Sequence, residues 1–482
     1  MSDDDLFART TELVHPPRWE NPTPSGRYHL VVIGGGTAGL VSAVGAASLG
    51  AKVALIEKHL LGGDCLNYGC VPSKGVIRAG RAVEAVREAG EFGVRASAPT
   101  VDFKAAMDRM RRLQARIAHN DSAERVRGLG VDVYLGRAKF VSRSAVEVDG
   151  RRLEFARAII ATGGRALVLP VPGLAEAGYL TNETVFSLQE LPKRLTVIGA
   201  GPIGCELAQT FRRLGSEVTL ISDGPKLLPK EDADAAAILD ARFRREGIRL
   251  ELGAKLTRVE PDRTVVFDRG AAASDAILLA VGRVPGVDDL GLDAAGVAFG
   301  KRGVEVDDHL RTTNRRIFAA GDVASKYQFT HAADALARIA LQNALFFGRK
   351  RQSALVVPWA TYTDPEIAQV GASGGPQTFT VKLDEVDRAI LDGETEGFAR
   401  VHADDRGRIL GATIVARHAG EMIGEVSLAM TKGLTLPDLA QTIHPYPTQA
   451  EALKKLGDAW MRTRLTPRAR KLLFAVLRFR PW

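Results

Sequence analysis

The segment His29-Leu-Val-Val-Ile33, followed at once by Gly34-Gly-Gly-Thr-Ala-Gly39, decides how the first part of this chain folds. The apolar run has the length and composition of a strand, and the small residues from Leu40 to Leu49 predict a helix. A second strand is predicted from Lys52 to Ile56, and it ends at Glu57. Strand, glycine-rich turn, helix and strand in this order predict a βαβ unit.

Each of the three spaced glycines in this turn has a physical task in binding a dinucleotide. Gly34 allows the tight turn, Gly36 lets the backbone approach a pyrophosphate, and Gly39 lets the helix pack on the strand. The N–H groups at the helix N-terminus then face the phosphates. Glu57 lies 23 residues after Gly34, where a carboxylate that takes the adenosine ribose hydroxyls is expected.

The same pattern recurs in the middle of the chain. A strand from Leu195 to Ile198 precedes Gly199-Ala-Gly-Pro-Ile-Gly204, a helix from Cys205 to Leu214 and a strand from Glu217 to Ile221. The glycines of this turn have the spacing of a second phosphate-binding site, with Gly199, Gly201 and Gly204 as its members. Two such units predict two dinucleotides, and a protein that binds both most simply passes electrons between them.

The segment from Gly62 to Lys74 reads GGDCLNYGCVPSK and holds two of the three cysteines, Cys65 and Cys70. A disulfide between them would close a very small ring that constrains little unfolded-chain entropy, so a structural staple is a poor explanation. The spacing alone leaves two interpretations, a redox-active disulfide or two reduced thiols in a loop. The two dinucleotide sites favour the disulfide. Cys205, inside the second nucleotide helix, is interpreted as a small core residue.

Length and composition limit the classes of protein to which this chain can belong. A chain of 482 residues with 45% hydrophobic residues has room for about three domains. Three cysteines are too few for a secreted disulfide framework and predict a reducing compartment, the cytoplasm. The acidic start MSDDDLFART lacks the apolar core of a signal peptide, and no apolar run is long enough to span a bilayer.

Two turns at strand ends are further candidates for ligand contacts. Ala161-Thr-Gly-Gly164 ends a predicted strand, and the apolar segment from Ile317 to Gly321 leads to Asp322. The carboxylate of Asp322 either caps a turn or helix or accepts a hydrogen bond from a sugar-like hydroxyl. The local pattern favours neither reading.

From about Arg27 to about Trp460 the chain resembles the flavoprotein disulfide reductases, the family of dihydrolipoamide dehydrogenase, glutathione reductase and mercuric reductase. The motifs that carry the resemblance are GGGTAG at 34 to 39, GGDCLNYGCVPSK at 62 to 74, ATGG at 161 to 164, GAGPIGCE at 199 to 206, VGRVP at 281 to 285, AAGDVA at 319 to 324 and PYPTQAE at 445 to 451. The resemblance implies that the first nucleotide is FAD and the second is NAD(P)H. It also implies a homodimer in which the last domain completes the partner's active site.

These features predict an α/β fold with two Rossmann-like dinucleotide-binding domains and a C-terminal α+β dimerisation domain. The predicted parts are an extended or mobile N-terminal arm (1–27), the FAD-binding domain in two parts (28–155 and 283–350), the NAD(P)-binding domain (156–282), the dimerisation domain (351–460) and a basic tail (461–482).

The resemblance also implies roles for single residues. Cys70 would be the thiol nearest the flavin, and Cys65 the one that meets the substrate. Lys74 and Glu206 would form an ion pair near the flavin's reactive nitrogen. In the implied cycle, electrons from the nicotinamide reach the Cys65–Cys70 disulfide through FAD, and a low cysteine pKa is expected because the thiolate is the reactive form.

The predicted cofactor contacts are Gly34, Gly36, Gly39, Glu57, Lys74, Thr162, Gly163, Gly199, Gly201, Gly204, Glu206, Asp223, Gly282, Gly321 and Asp322. No residue is predicted to ligate a resident metal.

The C-terminal motif departs from the thiol-handling members of this family. Those members have a histidine five positions before a glutamate, whereas Tyr446 stands five positions before Glu451 here. A tyrosine with an ordinary pKa near ~10 is a poor proton acceptor at neutral pH. His444 is an alternative base, although the family does not use that position. Tyrosine resembles mercuric reductase, but the chain shows neither that enzyme's adjacent C-terminal cysteines nor its N-terminal metal-binding domain.

The sequence around the second nucleotide strand contains opposing signals for the nicotinamide preference, and NADH is favoured. The second strand of the NAD(P) unit runs into Ser222 and Asp223, without the arginine that would hold a 2′-phosphate. The carboxylate of Asp223 would repel such a phosphate, which favours NADH. Lys226 and Lys230 favour NADPH.

The net charge of +8 is concentrated at the C-terminus, where Met461 to Trp482 contains seven basic residues and no acidic one. The segment from Lys471 to Arg480 is short, apolar and basic, which suits a helix on an anionic membrane surface. The alternative is that it packs on the protein's own dimer. Nucleic acid is not predicted as a partner, because no motif or aromatic-interleaved basic surface supports it.

The leading hypothesis is an NAD(P)H-dependent flavin disulfide reductase of the mercuric-reductase-like branch, which acts on a metal ion, a quinone or a similar acceptor. The first alternative is a thiol-disulfide enzyme such as dihydrolipoamide dehydrogenase. An alternative from another class is a redox-sensing binding protein that uses flavin and disulfide as a switch.

Overall fold

The computed structural model describes residues 3–480, and its side chains from residue 8 to residue 480. Within this range the chain forms sixteen α-helices: α1 (Asp3–Val14), α2 (Thr37–Ser48), α3 (Gly63–Asn67), α4 (Cys70–Glu88), α5 (Phe103–Ala118), α6 (Ala123–Gly128), α7 (Leu174–Ala177), α8 (Pro202–Leu214), α9 (Ala233–Arg245), α10 (Leu292–Ala295), α11 (Thr330–Leu345), α12 (Asp387–Leu391), α13 (Ala419–Lys432), α14 (Leu436–Gln441), α15 (Glu451–Thr463) and α16 (Pro467–Phe479).

The strands of the described range fall into several sheets. They are β1 (Tyr28–Ile33), β2 (Val53–Glu57), β3 (Val131–Leu135), β4 (Ala138–Ser142), β5 (Ala145–Val148), β6 (Arg151–Ile160), β7 (Gly164–Ala166), β8 (Arg194–Ile198), β9 (Glu217–Ser222), β10 (Arg249–Leu252), β11 (Leu256–Val259), β12 (Val265–Phe267), β13 (Gly270–Ala272), β14 (Ala276–Leu279), β15 (Arg283–Pro285), β16 (Phe299–Gly300), β17 (Gly303–Val304), β18 (Ile317–Ala319), β19 (Pro358–Thr361), β20 (Glu366–Gly371), β21 (Gln377–Lys382), β22 (Phe398–Ala403) and β23 (Ile409–Ala416).

The first sheet has the strand order β3-β2-β1-β6-β5-β4, and β18 pairs with β6. Strands β3, β2, β1, β6 and β18 are parallel, with Val31 opposite Ala54 and Ala158. In β1 and β2 every residue except His29 is buried, so both faces of these strands are covered, as expected for a parallel sheet packed between helices. Parallel strands end at one common edge, so the residues after β1, β2, β6 and β18 meet there.

A second sheet has the order β10-β9-β8-β14 and is parallel throughout. Helix α8 follows β8, and the turn between them is Gly199 to Gly201. The two sheets confirm the prediction of two Rossmann-like units.

The chain divides into two compact units, and each is described by itself. The first comprises residues up to Pro225 together with Glu246–Leu355, and it contains both parallel sheets. The second comprises Lys226–Arg245 and the chain from Val356 onward. The predicted domain boundaries are finer than this division and stay predictions.

The second unit is built on an antiparallel sheet of five strands, β19-β20-β23-β22-β21. Its apolar core joins this sheet to α13, α14 and α15. The start of α9 is tied to the sheet by Arg400, whose guanidinium pairs with Asp232, just before the helix, at 2.8 Å and with Asp234, in its first turn, at 2.7 Å. Among the described residues, no helix is both long enough and apolar enough to cross a membrane.

The prediction of an extended arm before residue 28 is wrong for Asp3–Val14, which is helical. Val14 is completely buried in the first core, and after the helix the Trp19 indole donates to the carbonyl of Val133 at 3.1 Å. Asn21 bonds both backbone groups of Leu135. The segment therefore folds against β3 rather than extending from the domain.

Candidate functional site

In the turn after β1, glycines let neighbouring backbone segments lie very close to one another. Gly34 has a φ of 104°, and a Cβ there would lie 2.3 Å from the carbonyl oxygen of Ala161. A Cβ on Gly39 would lie 1.7 Å from the carbonyl oxygen of Gly34, so α2 can pack here only with glycine. At Gly36, the residue before α2, the nearest atom to a built Cβ is 3.6 Å away. The first N–H groups of α2 are therefore approachable from the edge of the sheet.

The carboxylate of Glu57 lies at the end of β2 beside this turn. Its Oε2 accepts a hydrogen bond from the Gly35 amide at 2.6 Å, and its Oε1 accepts one from the His59 amide at 2.8 Å. The side chain is buried. These two bonds fix the carboxylate beside the turn, and each oxygen keeps a further lone pair that can accept from a hydroxyl. Its contact with a ribose stays a prediction.

A second carboxylate, Asp322, follows β18 at the same edge. Burial raises the pKa of its carboxyl group, and the Arg283 guanidinium opposes that rise. Arg283 donates to Asp64 at 3.3 Å and to the carbonyl of Gly164 at 2.8 Å, while its Nε lies 3.7 Å from the Asp322 carboxylate. That buried Nε has no hydrogen-bond partner within the described chain.

These observations fit a polar ligand such as FAD. A buried, partly unsatisfied guanidinium and a carboxylate at a strand end suit the hydroxyl groups of a flavin side chain, and the α2 turn suits its pyrophosphate. The hydrogen-bonding role of Asp322 stays a prediction. Thr162, also at this edge, donates through Oγ1 to the carbonyl of Gly286 at 2.6 Å.

The two cysteines of the central motif lie at a junction of helices. Cys65 is in the short helix α3, and Cys70 is the first residue of α4. Both are thiols in the structure. Cys70 is exposed and Cys65 is half-buried. The hydroxyl of Thr330, the first residue of α11, lies 3.3 Å from the Cys70 sulfur.

The environments of the two thiols shift their pKa values in opposite directions. A hydrogen bond from Cys65, a hydrogen bond from Thr330 and the charge of Lys74 together lower the pKa of Cys70 to about 6, although partial desolvation of the thiol acts in the opposite direction. The pKa of Cys65 is raised, first because it donates to Cys70 and second because it is buried. When this pair is reduced at neutral pH, Cys70 therefore carries the thiolate and Cys65 keeps its proton.

Lys74 and Glu206 come together although they are 132 positions apart in the chain. The Lys74 ammonium donates to the Glu206 carboxylate at 2.9 Å, across the contact between α4 and α8. Glu206 is 6% exposed and Lys74 is 37% exposed. The pair links the cysteine helix to the helix of the second nucleotide turn. Its proximity to a flavin stays a prediction.

The second nucleotide turn repeats the geometry of the first. Gly199 has a φ of 112°, and a Cβ on Gly204 would lie 2.0 Å from its carbonyl oxygen. At Gly201, the residue before α8, a Cβ would meet no atom within 4 Å. The backbone before α8 is thus open to a phosphate. Gly282, which follows β14, also has a positive φ of 123°.

The contacts of the residues that follow β9 do not test the predicted preference for NADH, which stays a prediction. The Ser222 hydroxyl accepts from the Gly224 amide at 3.2 Å, so it already takes part in the turn. In the second unit, Lys226 donates to the carbonyl of Glu231 at 2.7 Å.

In the second unit, Tyr446 is held by an acid. Its hydroxyl donates to the Asp387 carboxylate at 2.8 Å, and the side chain is 71% exposed. This hydrogen bond raises the pKa of the phenol further. Glu451, the first residue of α15, has one buried carboxylate oxygen, Oε2, with no hydrogen-bond partner in the described chain. The motif therefore pairs a protonated phenol with a carboxylate that is partly unsatisfied.

His444 faces hydrogen-bond acceptors on both sides. Its Nε2 lies 3.0 Å from Oε1 of Glu425, and its Nδ1 lies 3.1 Å from the carbonyl oxygen of Thr442. The side chain is almost completely buried. Each ring nitrogen thus lies beside an acceptor inside this unit. Proton transfer by His444 stays a prediction.

Three residues with clear site contacts were not singled out from the sequence. Thr330 lies 260 positions from Cys70, and nothing in its local pattern marks it. Asp387 likewise meets Tyr446 only through the tertiary fold. Arg283 carried a signal, because it lies inside the VGRVP motif. Among the described residues, no cluster of three or more His, Cys, Asp or Glu could hold a resident metal ion.

The comparison with protein families agrees with this architecture. Residues 28–337 match the family model described as pyridine nucleotide-disulphide oxidoreductase, and residues 357–456 match the dimerisation domain of the same family. The chain belongs to the pyridine nucleotide-disulphide oxidoreductases. It is an FAD-dependent oxidoreductase that uses NAD(P)H, and the dimerisation domain indicates a homodimer.

Individual relatives carry two different activities. The chain is 38% identical to a mercuric reductase of Lysinibacillus sphaericus over 89% of this chain and 81% of that one. It is 34% identical to a dihydrolipoyl dehydrogenase of Chlamydia muridarum over 88% and 95%. A solved structure, the HOCl-induced flavoprotein disulfide reductase of Escherichia coli, superposes with a TM-score of 0.80 at 29% identity, over 89% and 99% of the two chains. That protein has also been solved as a Cu(II) complex.

Proposed function

We propose that this oxidoreductase passes electrons from NAD(P)H through the Cys65–Cys70 disulfide to a soft metal ion or another acceptor that needs no protein base. One observation carries the proposal. Tyr446 stands where the thiol-handling relatives have a catalytic histidine, and its hydroxyl donates a hydrogen bond to Asp387. Bound FAD supplies the two-electron carrier between nicotinamide and disulfide.

The two classes of acceptor, dithiols and soft metal ions, differ in whether the substrate must lose protons before it reacts. A dithiol substrate must lose protons before its sulfur can attack a disulfide, because the thiolate is the nucleophile. Tyr446 cannot take them at neutral pH, since its pKa is raised. A soft metal ion is bound by thiolate sulfur directly and needs no such base.

The thiols of this chain suit the second class. Cys70, with a pKa of about 6, is a thiolate at neutral pH, and Cys65 loses its proton when a metal ion replaces it. Two electrons held by the reduced pair can then pass to one Hg²⁺ ion, or one each to two Cu²⁺ ions, as the Cys65–Cys70 disulfide re-forms. The mercuric reductase relatives and the Cu(II) complex of the Escherichia coli protein support this acceptor class.

The runner-up is dihydrolipoamide dehydrogenase, which one observation favours. The unsatisfied Oε2 of Glu451 is a carboxylate oxygen of the kind that orients a catalytic histidine. The Chlamydia relative agrees with this alternative. We further propose that Tyr446 and Glu451 act in the partner's site of the homodimer, and that NADH is preferred because Asp223 would repel a 2′-phosphate.

The test is steady-state turnover of the FAD-loaded dimer with NADH and with NADPH. The acceptors are Hg²⁺, Cu²⁺ and a soluble quinone, and dihydrolipoamide with NAD⁺ is measured in parallel. The proposal predicts turnover with at least one metal ion or quinone that is lost in Cys65→Ser, and negligible turnover with dihydrolipoamide. Robust oxidation of dihydrolipoamide by the wild-type enzyme would overturn it.

A gain-of-function variant sharpens the same test. Tyr446→His places an imidazole five positions before Glu451 and is expected to raise dihydrolipoamide turnover by about 100-fold or more, the range of a general base. Tyr446→Phe is the matched control, because it removes the phenol without adding a base. Equal dihydrolipoamide rates in the two variants would show that a missing base is not what limits this reaction.

A further inference from the structure

The C-terminal tail folds into a well-defined helix, α16. The hydroxyl of Thr466 accepts a hydrogen bond from the Ala469 amide at 3.2 Å and caps its first turn, and Pro467 starts the helix. Proline suits this position because its missing N–H would be unpaired there in any case. The helix runs to Phe479, and no residue in it is buried.

One side of α16 is apolar and uncovered. At 100° per residue, six of the apolar residues of the helix fall on an arc of about 160°, and Phe474 and Ala475 lie outside it. Its large members are 51 to 84% exposed, and they are Leu472, Leu473, Val476, Leu477 and Phe479. A contiguous exposed apolar face of this kind marks an interaction surface.

The opposite side of α16 is basic. Arg468, Arg470, Lys471 and Arg478 lie on it, together with Phe474 and Ala475. No acidic residue follows Asp458 in the chain. The basic residues flank the apolar arc at both of its edges, so a surface that covers the apolar arc also meets positive charge.

The charge identifies the kind of surface that suits this helix. A second copy of α16 would bring two wholly positive segments together, which like-charge repulsion disfavours. An anionic phospholipid bilayer satisfies both faces at once, because headgroups pair with the basic residues while the apolar arc enters the acyl boundary. We propose that α16 lies on an anionic membrane surface and holds the enzyme there as a peripheral protein.

This inference goes beyond the proposed function and does not depend on the electron acceptor. The test is flotation of the FAD-loaded, full-length protein with vesicles of phosphatidylcholine alone and of phosphatidylcholine mixed with phosphatidylglycerol. We expect binding to the mixed vesicles only, weakened by salt because the attraction is partly electrostatic. Binding that is equal for the two vesicle types, or absent from both at low salt, would overturn the proposal.

Two substitutions test the apolar arc without changing the charge. Leu473→Gln with Leu477→Gln removes two side chains from the arc and is expected to weaken binding to the mixed vesicles on the order of 100-fold. Ala475→Gln is the matched control, because it places the same residue type on the basic side and should bind within about threefold of the wild type. Equal binding by the double variant and the wild type would refute the role of the arc.

A charge variant tests the basic side. Replacing Arg470, Lys471 and Arg478 by Gln should weaken binding by roughly fivefold for each residue, and it should reduce the salt dependence. Size-exclusion chromatography with light scattering accompanies each variant. If binding falls only when the dimer dissociates, α16 belongs to the dimer and the membrane proposal fails.

Discussion

Thr330→Val is expected to raise the pKa of the Cys70 thiol by about one unit. The substitution keeps the shape of the side chain but removes the hydroxyl that lies 3.3 Å from the sulfur. A hydrogen bond to a charged group is worth about 1.5 kcal/mol at the lower end of its range, and 1.36 kcal/mol is one pKa unit. The bonds from Cys65 and the charge of Lys74 remain. The pKa should therefore move from about 6 to about 7.

The sign of the effect is set by which form the hydroxyl stabilises. Thr330 donates to the thiolate, so its loss favours the thiol and moves the titration to higher pH. At pH 6 the thiolate fraction of Cys70 should fall from about one half to about one tenth. The assay is the rate of iodoacetamide alkylation of the reduced enzyme from about pH 4.5 to about pH 8.5, with the modified peptide identified by mass spectrometry.

Thr257→Val serves as the control, because its hydroxyl donates to the carbonyl of Val266 on an exposed strand. It should leave the Cys70 titration unchanged. An unchanged midpoint in a folded, flavin-loaded Thr330→Val enzyme would refute the assignment of Thr330 to Cys70.

Three further predictions concern buried groups. Lys74→Met removes the ammonium that pairs with the buried Glu206 carboxylate and should cost about 2 kcal/mol, less than for a fully buried pair because Lys74 is 37% exposed. Denaturant midpoints should show this loss in Lys74→Met and its recovery when Glu206→Leu is added. Burial raises the pKa of Glu231, which accepts a hydrogen bond from the Trp359 indole, to about 7. The protonated carboxyl group therefore stabilises the fold fully below about pH 4.5, and this contribution is lost as the pH rises through about 7. Glu231→Gln should therefore gain Tm over the wild type between pH 5 and pH 8, and a pH-independent difference would contradict this. Cys205→Ala should cost about 1 kcal/mol in the core while the Cys70 titration stays unchanged, and an altered titration would show that Cys205 is not only a core residue.

Much of the fold could be predicted because its signals are local. The spacing of the glycines predicts the turns at Gly34 and Gly199. The structure shows why no other residue fits at Gly39 and Gly204, where a Cβ would collide with a backbone carbonyl oxygen. The predicted helices began about three residues too late. Both start directly after a glycine, Gly36 or Gly201, because that residue precedes the first helical turn.

The rest depended on contacts between distant parts of the chain. Thr330 reaches Cys70 only because α11 and α4 begin near the same point, and Asp387 reaches Tyr446 only in the folded second unit. The helix at Asp3–Val14 was missed because prolines after it suggested an irregular segment. Acidic residues at its start were a usable signal, since they are favoured in the first turn of a helix.

The most direct test of the central claim is an anaerobic titration of the flavin-loaded enzyme with NADH and, separately, NADPH, followed by visible absorption. We expect a long-wavelength band from the Cys70 thiolate beside oxidised flavin, present above about pH 6, kept in Cys65→Ser and lost in Cys70→Ser. The nucleotide that produces the band at the lower concentration is the preferred one. Bleaching straight to reduced flavin, with no such band in the wild type, would mean that Cys65 and Cys70 lie outside the electron path and would contradict the account.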